Sequence, residues 1–86
     1  MKRSKDVIIS QILDICAIGA SKTKIVYQAN LNFRTVNPYI ELLSKNGLIE
    51  AAHGQTVYYK TTPKGLDLKE RLVQYRDIMI NLYAHV

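Results

Sequence analysis

The chain has 86 residues, 48% of them hydrophobic, and this size fits one small domain whose core is expected to gain from a second subunit. Its formal net charge of +5 favours a polyanionic partner but does not by itself establish one. A single cysteine excludes a disulfide framework within the chain, and the basic N-terminus is followed by apolar positions too interrupted by polar residues for a signal peptide or a membrane span. These features predict a soluble, cytoplasmic protein.

Apolar residues recur at helical spacing through residues 5–18, which predicts a first helix over that range. Ser4 is placed to cap its start, and Gly19 is placed to end it in a left-handed conformation. Cys16 falls on the apolar face of this helix. We therefore interpret Cys16 as a buried, reduced thiol rather than a nucleophile or a metal ligand.

The next segment holds two short amphipathic patterns separated by a polar turn. Ser21 is predicted to cap a helix over residues 22–29. Residues 30–32 form the turn, and Asn32 is predicted to cap a second helix over residues 33–46. Such a pair is a helix-turn-helix, in which the second helix enters the major groove of DNA while the first braces it against the backbone.

Pro38 lies inside the second of these helices, where it removes the hydrogen bond to the carbonyl of Arg34 at a cost of about 3 kcal/mol. Two outcomes are open: the helix becomes regular only from Asn37, with Pro38 in its first turn, or it is continuous but bent. We favour the continuous, bent helix, because Asn32 is the better N-terminal cap and Val36 lies at the helical spacing of the apolar residues that follow it.

Two strand patterns, over residues 48–52 and 57–61, flank a polar tip at 53–56 and predict a short antiparallel hairpin, or wing. The two-residue period of a strand places Tyr59 and Thr61 toward the core and the side chains between them toward solvent. The predicted fold class is therefore mainly α with a small β-hairpin, a winged helix-turn-helix followed by a C-terminal helix.

The last helix begins at Thr62 and Pro63, a cap and first-turn pair. Its apolar residues are spaced by fours and threes, as the a and d positions of a heptad repeat are. Residues at these positions form the contact between paired helices in a coiled coil. We call them the predicted dimer seam, and they are Leu68, Leu72, Tyr75, Met79, Leu82 and Val86.

A second apolar ridge, Leu66, Val73 and Ile80, runs beside the seam, so two arrangements are open. Either the seam meets a partner helix in a homodimer, or both ridges pack on the first helix of the same chain. We favour the homodimer, because a helix of about twenty residues spans about 30 Å, more than so small a domain covers. The chain is accordingly divided into a DNA-binding domain, residues 1–62, and a dimerisation helix, residues 63–86.

The exposed early part of the second helix-turn-helix helix carries Arg34, Thr35 and Asn37, which we predict to contact base edges. Arginine pairs with guanine and asparagine with adenine through two hydrogen bonds each. For Arg34 a phosphate contact is equally open.

Phosphate contacts are predicted for Lys22 and Lys24, because a helix N-terminus adds amide donors and partial positive charge. Asn32 in the turn and Lys60 in the wing complete this set. The predicted partner is double-stranded DNA, and the function is that of a transcription regulator or chromatin-associated protein. The alternative is a winged-helix module that binds proteins and not nucleic acid.

The remaining polar residues indicate no chemistry. Lys2, Arg3 and Lys5 form either a basic arm or a disordered tail. His53 lies in a loop and His85 at a frayed end, and the sequence has no glycine-rich phosphate loop, no cysteine or histidine cluster at ligand spacing and no nucleophile paired with a base. We expect neither an enzyme nor a cofactor or metal.

Three phrases, SKTKIVYQANLNF, ELLSKNGLIE and YYKTTPKG, together resemble the small archaeal winged-helix DNA-binding family that includes a ten-kilodalton chromatin-associated protein of thermoacidophiles. The resemblance covers nearly the whole chain. It implies a winged helix-turn-helix that dimerises through an antiparallel C-terminal coiled coil and binds duplex DNA. The chain departs from the family pattern at Pro38, at Thr61, where a large aliphatic residue is usual, and in its short final helix.

Overall fold

The computed structural model describes residues 3–84, so Lys2, His85 and Val86 of the sequence analysis lie outside the described residues. The described part of the chain is mainly helical, with one small antiparallel sheet, as predicted. In chain order its elements are α1 (Lys5–Ile15), a 3-10 helix (Cys16–Ile18), β1 (Ala20–Ser21), α2 (Lys22–Ala29), α3 (Phe33–Lys45), β2 (Ile49–His53), β3 (Val57–Thr61) and α4 (Pro63–Ala84).

The first helix begins as predicted, with the Ser4 hydroxyl accepting a backbone hydrogen bond from the first turn at 3.3 Å. The predicted range, residues 5–18, is helical throughout, but the α-helix ends at Ile15 and the last turn, Cys16–Ile18, is a 3-10 helix. Gly19 follows with a positive φ of +92° but a ψ of +132°, so the predicted left-handed helical conformation is wrong, and the Tyr58 ring lies 3.5 Å from where a β-carbon would stand. A side chain there would have both an unfavourable φ and an aromatic neighbour.

The helix-turn-helix follows the predicted boundaries closely. The Ser21 hydroxyl accepts a hydrogen bond from the Lys24 amide at 3.2 Å, and the Asn32 side chain accepts one from the Thr35 amide at 2.7 Å, so both predicted caps are confirmed. The turn reverses through Asn30 at φ +53°, a left-handed conformation that asparagine tolerates better than most residues.

α3 is a single helix that passes through Pro38. This confirms that the helix is continuous; the bend stays a prediction. Because proline has no amide hydrogen, the carbonyl of Arg34 receives no helical hydrogen bond. The helix ends at Gly47 (φ +71°) in a Schellman motif, in which the Leu48 amide donates to the Leu43 carbonyl at 2.9 Å.

The sheet has three antiparallel strands in the order β1-β3-β2. The sequence analysis missed β1, which pairs Ala20 with Tyr59. In β3 the predicted alternation is confirmed: Tyr59 is half-buried and Thr61 buried, whereas Tyr58 and Lys60 are exposed.

α4 is capped by the hydroxyl of Thr62, which accepts a hydrogen bond from the Gly65 amide at 3.1 Å. α4 lies along α1, and Lys69 near its start forms an ion pair with Asp14 at 3.3 Å. The half-buried residues of α4 share the side that faces α1 and are Leu68, Lys69, Leu72, Val73, Arg76 and Met79.

The predicted dimer seam is thus divided. Leu68 packs on the core, and Leu72 and Met79 line a crevice beside α1 of the same chain, as one of the two predicted alternatives expects. Tyr75 and Leu82 are exposed. The seam therefore lies at the edge of the contact with α1, with part of it open to solvent.

The core lies between α1, α2, α3 and the sheet, and its fully buried members are Ile12, Leu13, Ile25, Leu43, Ile49, Val36 and Cys16. Within residues 3–84, no helix combines the length and apolar character needed to cross a membrane.

Candidate nucleic-acid interface

The rotation of α3 about its axis is fixed by its buried residues. Val36, Ile40 and Leu43 are spaced by four and three, so they form one stripe that packs on the core. All other residues of the helix except Tyr39, which is half-buried, are exposed. Most of the circumference of α3 is therefore open to an approaching surface.

Viewed down the helix axis, Arg34 lies near the middle of this open face. A helix turns by about 100° per residue, so a residue two positions from buried Val36 points almost directly away from the core. Arg34 and Pro38 both have that position, whereas Thr35 and Asn37 lie on opposite flanks. All three residues predicted to contact bases are exposed.

Two further exposed residues, which the sequence analysis did not include among the site residues, lie on the outward face. Pro38 follows Arg34 by four residues, so the two are on the same side of the helix. Lys45 continues this side toward the helix C-terminus, and Glu41 lies between them. The face is therefore mixed in charge with a positive excess.

The start of α2 brings Lys22 and Lys24 to the edge of the sheet, where both are half-buried. Of the predicted phosphate-contact residues, Asn32 is exposed, but its side-chain oxygen is already used by the Thr35 amide. Its amide group is what remains to donate to a phosphate.

Cys16 lies close behind this helix start and is fully buried. Burial raises the pKa of its thiol to about 11, an effect that the positive charge of Lys24 offsets only in part. The thiol is therefore neutral at ordinary pH, and the prediction of a buried thiol is confirmed.

Lys60 is exposed on the outer face of the wing. Its β3 position is paired with Glu50 of β2, so the two strands carry one positive and one negative residue at this register position. The tip of the wing, residues 53–56, is exposed and carries no arginine or lysine. The wing therefore presents less positive charge than α2 and α3.

Arg3 forms neither the free basic arm nor the disordered tail that the sequence left open. Its guanidinium donates hydrogen bonds to the side chain of Gln11 and to the carbonyls of Ala29 and Asn30. These carbonyls end α2, where the helix dipole favours a cation. Arg3 therefore fastens α1 to the turn of the helix-turn-helix.

No group of three histidine, cysteine, aspartate or glutamate side chains within residues 3–84 is arranged to hold a metal ion. The outward face of α3, the start of α2 and the wing are thus the features that position exposed functional groups.

The amino-acid sequence matches the winged helix-turn-helix family over residues 2–80. An uncharacterized protein of Methanocaldococcus jannaschii is 35% identical over 79 residues, which cover 91% of this chain and 78% of that protein. A second uncharacterized protein of the same organism is 40% identical over 73 residues, which cover 84% of this chain but 33% of the relative.

Two solved structures share the fold. Sso10a-2, a DNA-binding protein from Sulfolobus solfataricus, superposes with a TM-score of 0.90 at 26% identity, covering 96% of this chain and 88% of its own. The transcriptional regulator BldR of Sulfolobus solfataricus superposes with a TM-score of 0.80 at 15% identity, covering 93% of this chain and 62% of its own. The second likeness concerns the fold alone.

Proposed function

Because the chain belongs to the winged helix-turn-helix family, we propose that it binds double-stranded DNA, with α3 in the major groove and the wing beside it, as a transcription regulator or chromatin-associated protein. The observation that carries this proposal is the outward face of α3, which is exposed along its length and carries Arg34 near its start. The likeness to Sso10a-2, a DNA-binding protein, supports it.

The distribution of charge along the chain agrees with this role. Residues 1–62 contain eight of the twelve basic residues and four of the seven acidic ones, a net charge of +4, whereas residues 63–86 carry +1. Most of the positive excess lies in the helix-turn-helix, whose residues 20–47 carry a net charge of +3, whereas Glu50 and Lys60 cancel in the wing. A polyanion approaching the protein is attracted to that part of it.

Within this surface we assign two kinds of contact. Arg34, Thr35 and Asn37 lie where a helix in the groove meets base edges, so they select sequence. Lys22 and Lys24 flank the start of α2 and hold phosphates, which positions the protein without selecting sequence.

We also propose that the protein acts as a homodimer through α4. An exposed apolar stripe runs along this helix at spacings of three and four and consists of Tyr75, Ile78 and Leu82. Ile78 was not in the predicted seam, whereas Leu68 and Leu72 already pack on their own chain. The partner helix thus covers the outer edge of the predicted seam.

The end of α4 supports the same assignment. Ile80, Leu82 and Tyr83 are 60%, 57% and 74% exposed, so large apolar side chains surround a helix end that its own domain leaves uncovered. Exposed apolar area of this extent on a regular helix is typical of an interface. The 22 residues of α4 span about 33 Å, enough for a paired helix to contact several turns.

DNA binding is tested by titrating a fluorescent duplex with the protein at several salt concentrations. Each phosphate that the protein neutralises contributes about 0.9 to the slope of log affinity against log salt. Lys22→Ala is expected to reduce this slope and to weaken all duplexes alike, whereas Arg34→Ala is expected to change the preference among sequences.

The matched control is Arg71→Gln, which removes an exposed positive charge from α4 and leaves the slope unchanged. Absence of binding at low salt, or binding that does not respond to salt, would refute the proposal. Equal effects of the Lys22 and Arg34 substitutions would refute the division of roles.

A further inference from the structure

One flank of α3 carries apolar groups where a groove-reading helix most often carries polar ones. Thr35, Pro38 and Leu42 are spaced by three and four residues, so they form one continuous line, which we call the apolar ridge. All three residues are exposed, and Leu42 is 48% exposed. The core packing of α3 does not explain these residues, because the buried stripe lies on the other side of the helix.

The ridge borders a shallow depression of about 290 Å³ between α3 and α1. Ile9 and Tyr39 form its inner side, and Lys5 lies on its α1 side. The surface beside the ridge is therefore apolar within and positively charged at its margin.

We propose that the apolar ridge recognises the C5-methyl groups of thymines in the major groove. The inference rests on the proposed binding of duplex DNA by α3. Thymine is the one DNA base that presents a methyl group in that groove, and the contacts that proteins make with it come from apolar groups such as the methyl of threonine.

The charges on either side of the ridge suit a DNA strand. Arg34, near the start of α3, is exposed on one side of the ridge, and Lys5 lies on the other side, across the depression from the ridge. A DNA strand whose methyl groups meet the ridge therefore lies between two positive charges, which suits its phosphates.

Pro38 makes this part of the helix unsuited to polar recognition. Its ring occupies an outward position and offers no donor or acceptor. Its ring instead adds apolar area between Thr35 and Leu42, so the ridge has no polar interruption. Recognition along this line is by contact with methyl groups, while Arg34 and Asn37 supply the hydrogen bonds.

The test compares duplexes that differ only in these methyl groups. The full-length protein is titrated with a duplex of alternating adenine and thymine and with the same duplex in which uracil replaces thymine. Each methyl group buried against the ridge is expected to contribute about fourfold in affinity, which corresponds to about 0.8 kcal/mol. In a guanine–cytosine duplex, replacing cytosine by 5-methylcytosine is expected to increase affinity.

Substitutions assign the effect to the ridge. Leu42→Ala is expected to reduce the thymine-to-uracil affinity ratio toward one, and Thr35→Ser, which removes a single methyl group, is expected to reduce it partly. Ile18→Ala is the control: Ile18 is 84% exposed on the 3-10 helix, outside α3, and its loss leaves the ratio unchanged. Circular dichroism and urea unfolding of each variant verify that its helical content and stability match those of the parent protein.

The outcomes separate the inference from the proposed function. Salt-dependent binding with a thymine-to-uracil ratio of one overturns the inference and leaves DNA binding in place. A ratio above one that Leu42→Ala and Thr35→Ser do not change overturns the assignment to the ridge. Failure to bind any duplex at low salt overturns both.

Discussion

The carbonyl oxygen of Leu48 lies directly against the α-carbon of Gly65, so the first turn of α4 rests on the backbone that leads into β2. The same carbonyl accepts a hydrogen bond from the Thr62 amide at 3.0 Å. A β-carbon at position 65 would overlap this oxygen and crowd the methyl group of Thr61. Gly65 therefore allows the first turn of α4 to approach the backbone at Leu48 closely.

Replacing Gly65 with alanine is expected to lower the free energy of unfolding by about 1–3 kcal/mol, because the added methyl group meets backbone that cannot rotate away. The better helix propensity of alanine, worth up to about 1 kcal/mol, offsets part of this loss. Urea unfolding measures the difference.

The control is Gly54→Ala in the wing, where the nearest atom to an added β-carbon is 3.8 Å away. This variant is expected to have a free energy of unfolding close to that of the parent protein. If both glycine variants had the same stability as the parent, the close approach of Gly65 to Leu48 would be contradicted.

Replacing Pro38 with alanine is expected to change stability and recognition in opposite directions. Alanine restores the amide hydrogen that the Arg34 carbonyl lacks, and proline inside a helix costs about 3 kcal/mol relative to alanine. The unfolded chain of the variant is more flexible, and its greater conformational entropy lowers the stability gain by up to about 1 kcal/mol. The net expectation is a rise of about 2 kcal/mol in the free energy of unfolding.

The same substitution removes the central apolar group of the ridge, so the thymine-to-uracil affinity ratio is expected to fall. Thermal unfolding and duplex titration on one protein preparation measure the two effects. A variant that was more stable and kept the full ratio would show that Pro38 has no part in recognition, and a less stable variant would contradict the account of the helix.

The sequence predicted those parts of the fold that local chemistry determines. Both caps of the helix-turn-helix are confirmed because Ser21 and Asn32 act on amides within three residues. The alternation along β3 is confirmed because a pleated strand has a period of two. Such features require no knowledge of distant residues.

The missed features all depend on contacts between distant parts of the chain. β1 has two residues, too few for any pattern, and exists because it pairs with β3. Arg3 binds carbonyls that lie 26 and 27 residues away. Thr61, a departure from the family pattern, is buried because its hydroxyl donates to the Leu13 carbonyl, 48 residues away, at 2.7 Å.

The candidate site was predictable in its location but not in its detail. The helix-turn-helix pattern placed Arg34, Thr35 and Asn37 on the exposed side of α3, where the structure has them. Which side of α4 faces its own domain was not predictable, because a heptad pattern describes an apolar stripe without naming its neighbour.

Burial of Cys16 has a consequence for stability at high pH. Its pKa is raised from an ordinary value of 9.0 to about 11 in the folded protein, so above pH 9 the unfolded chain loses the thiol proton while the folded protein keeps it. The unfolded state is thereby favoured, and the contribution of the thiol to stability falls between pH 9 and pH 11.

The parent protein is therefore expected to lose more stability than Cys16→Ala over that interval. Taking the difference between the two proteins removes the titration of tyrosines and lysines, which is common to both. Urea unfolding at a series of pH values measures it. Parallel stability curves would contradict a raised thiol pKa.

The exposed stripe of α4 leads to a prediction about mass in solution. Ile78→Glu is expected to convert the dimer to monomer, because a carboxylate at the centre of an apolar helix pair is removed from water without a partner. Asn81→Glu is the matched control, since it adds the same charge at an exposed polar position of the same helix. Sedimentation equilibrium over a range of concentrations measures the mass of each protein.

The folded domain is expected to survive in the Ile78 variant, because Ile78 is 57% exposed and contributes little to its own core. Far-ultraviolet circular dichroism and urea unfolding verify this. Loss of the dimer is then expected to weaken binding to long duplexes more than to short ones. A dimer can bind two sites on one long duplex at once, whereas a monomer can bind only one. If the parent protein sediments as a monomer at all concentrations, or if Ile78→Glu remains a dimer, the proposed contact through Tyr75, Ile78 and Leu82 is wrong.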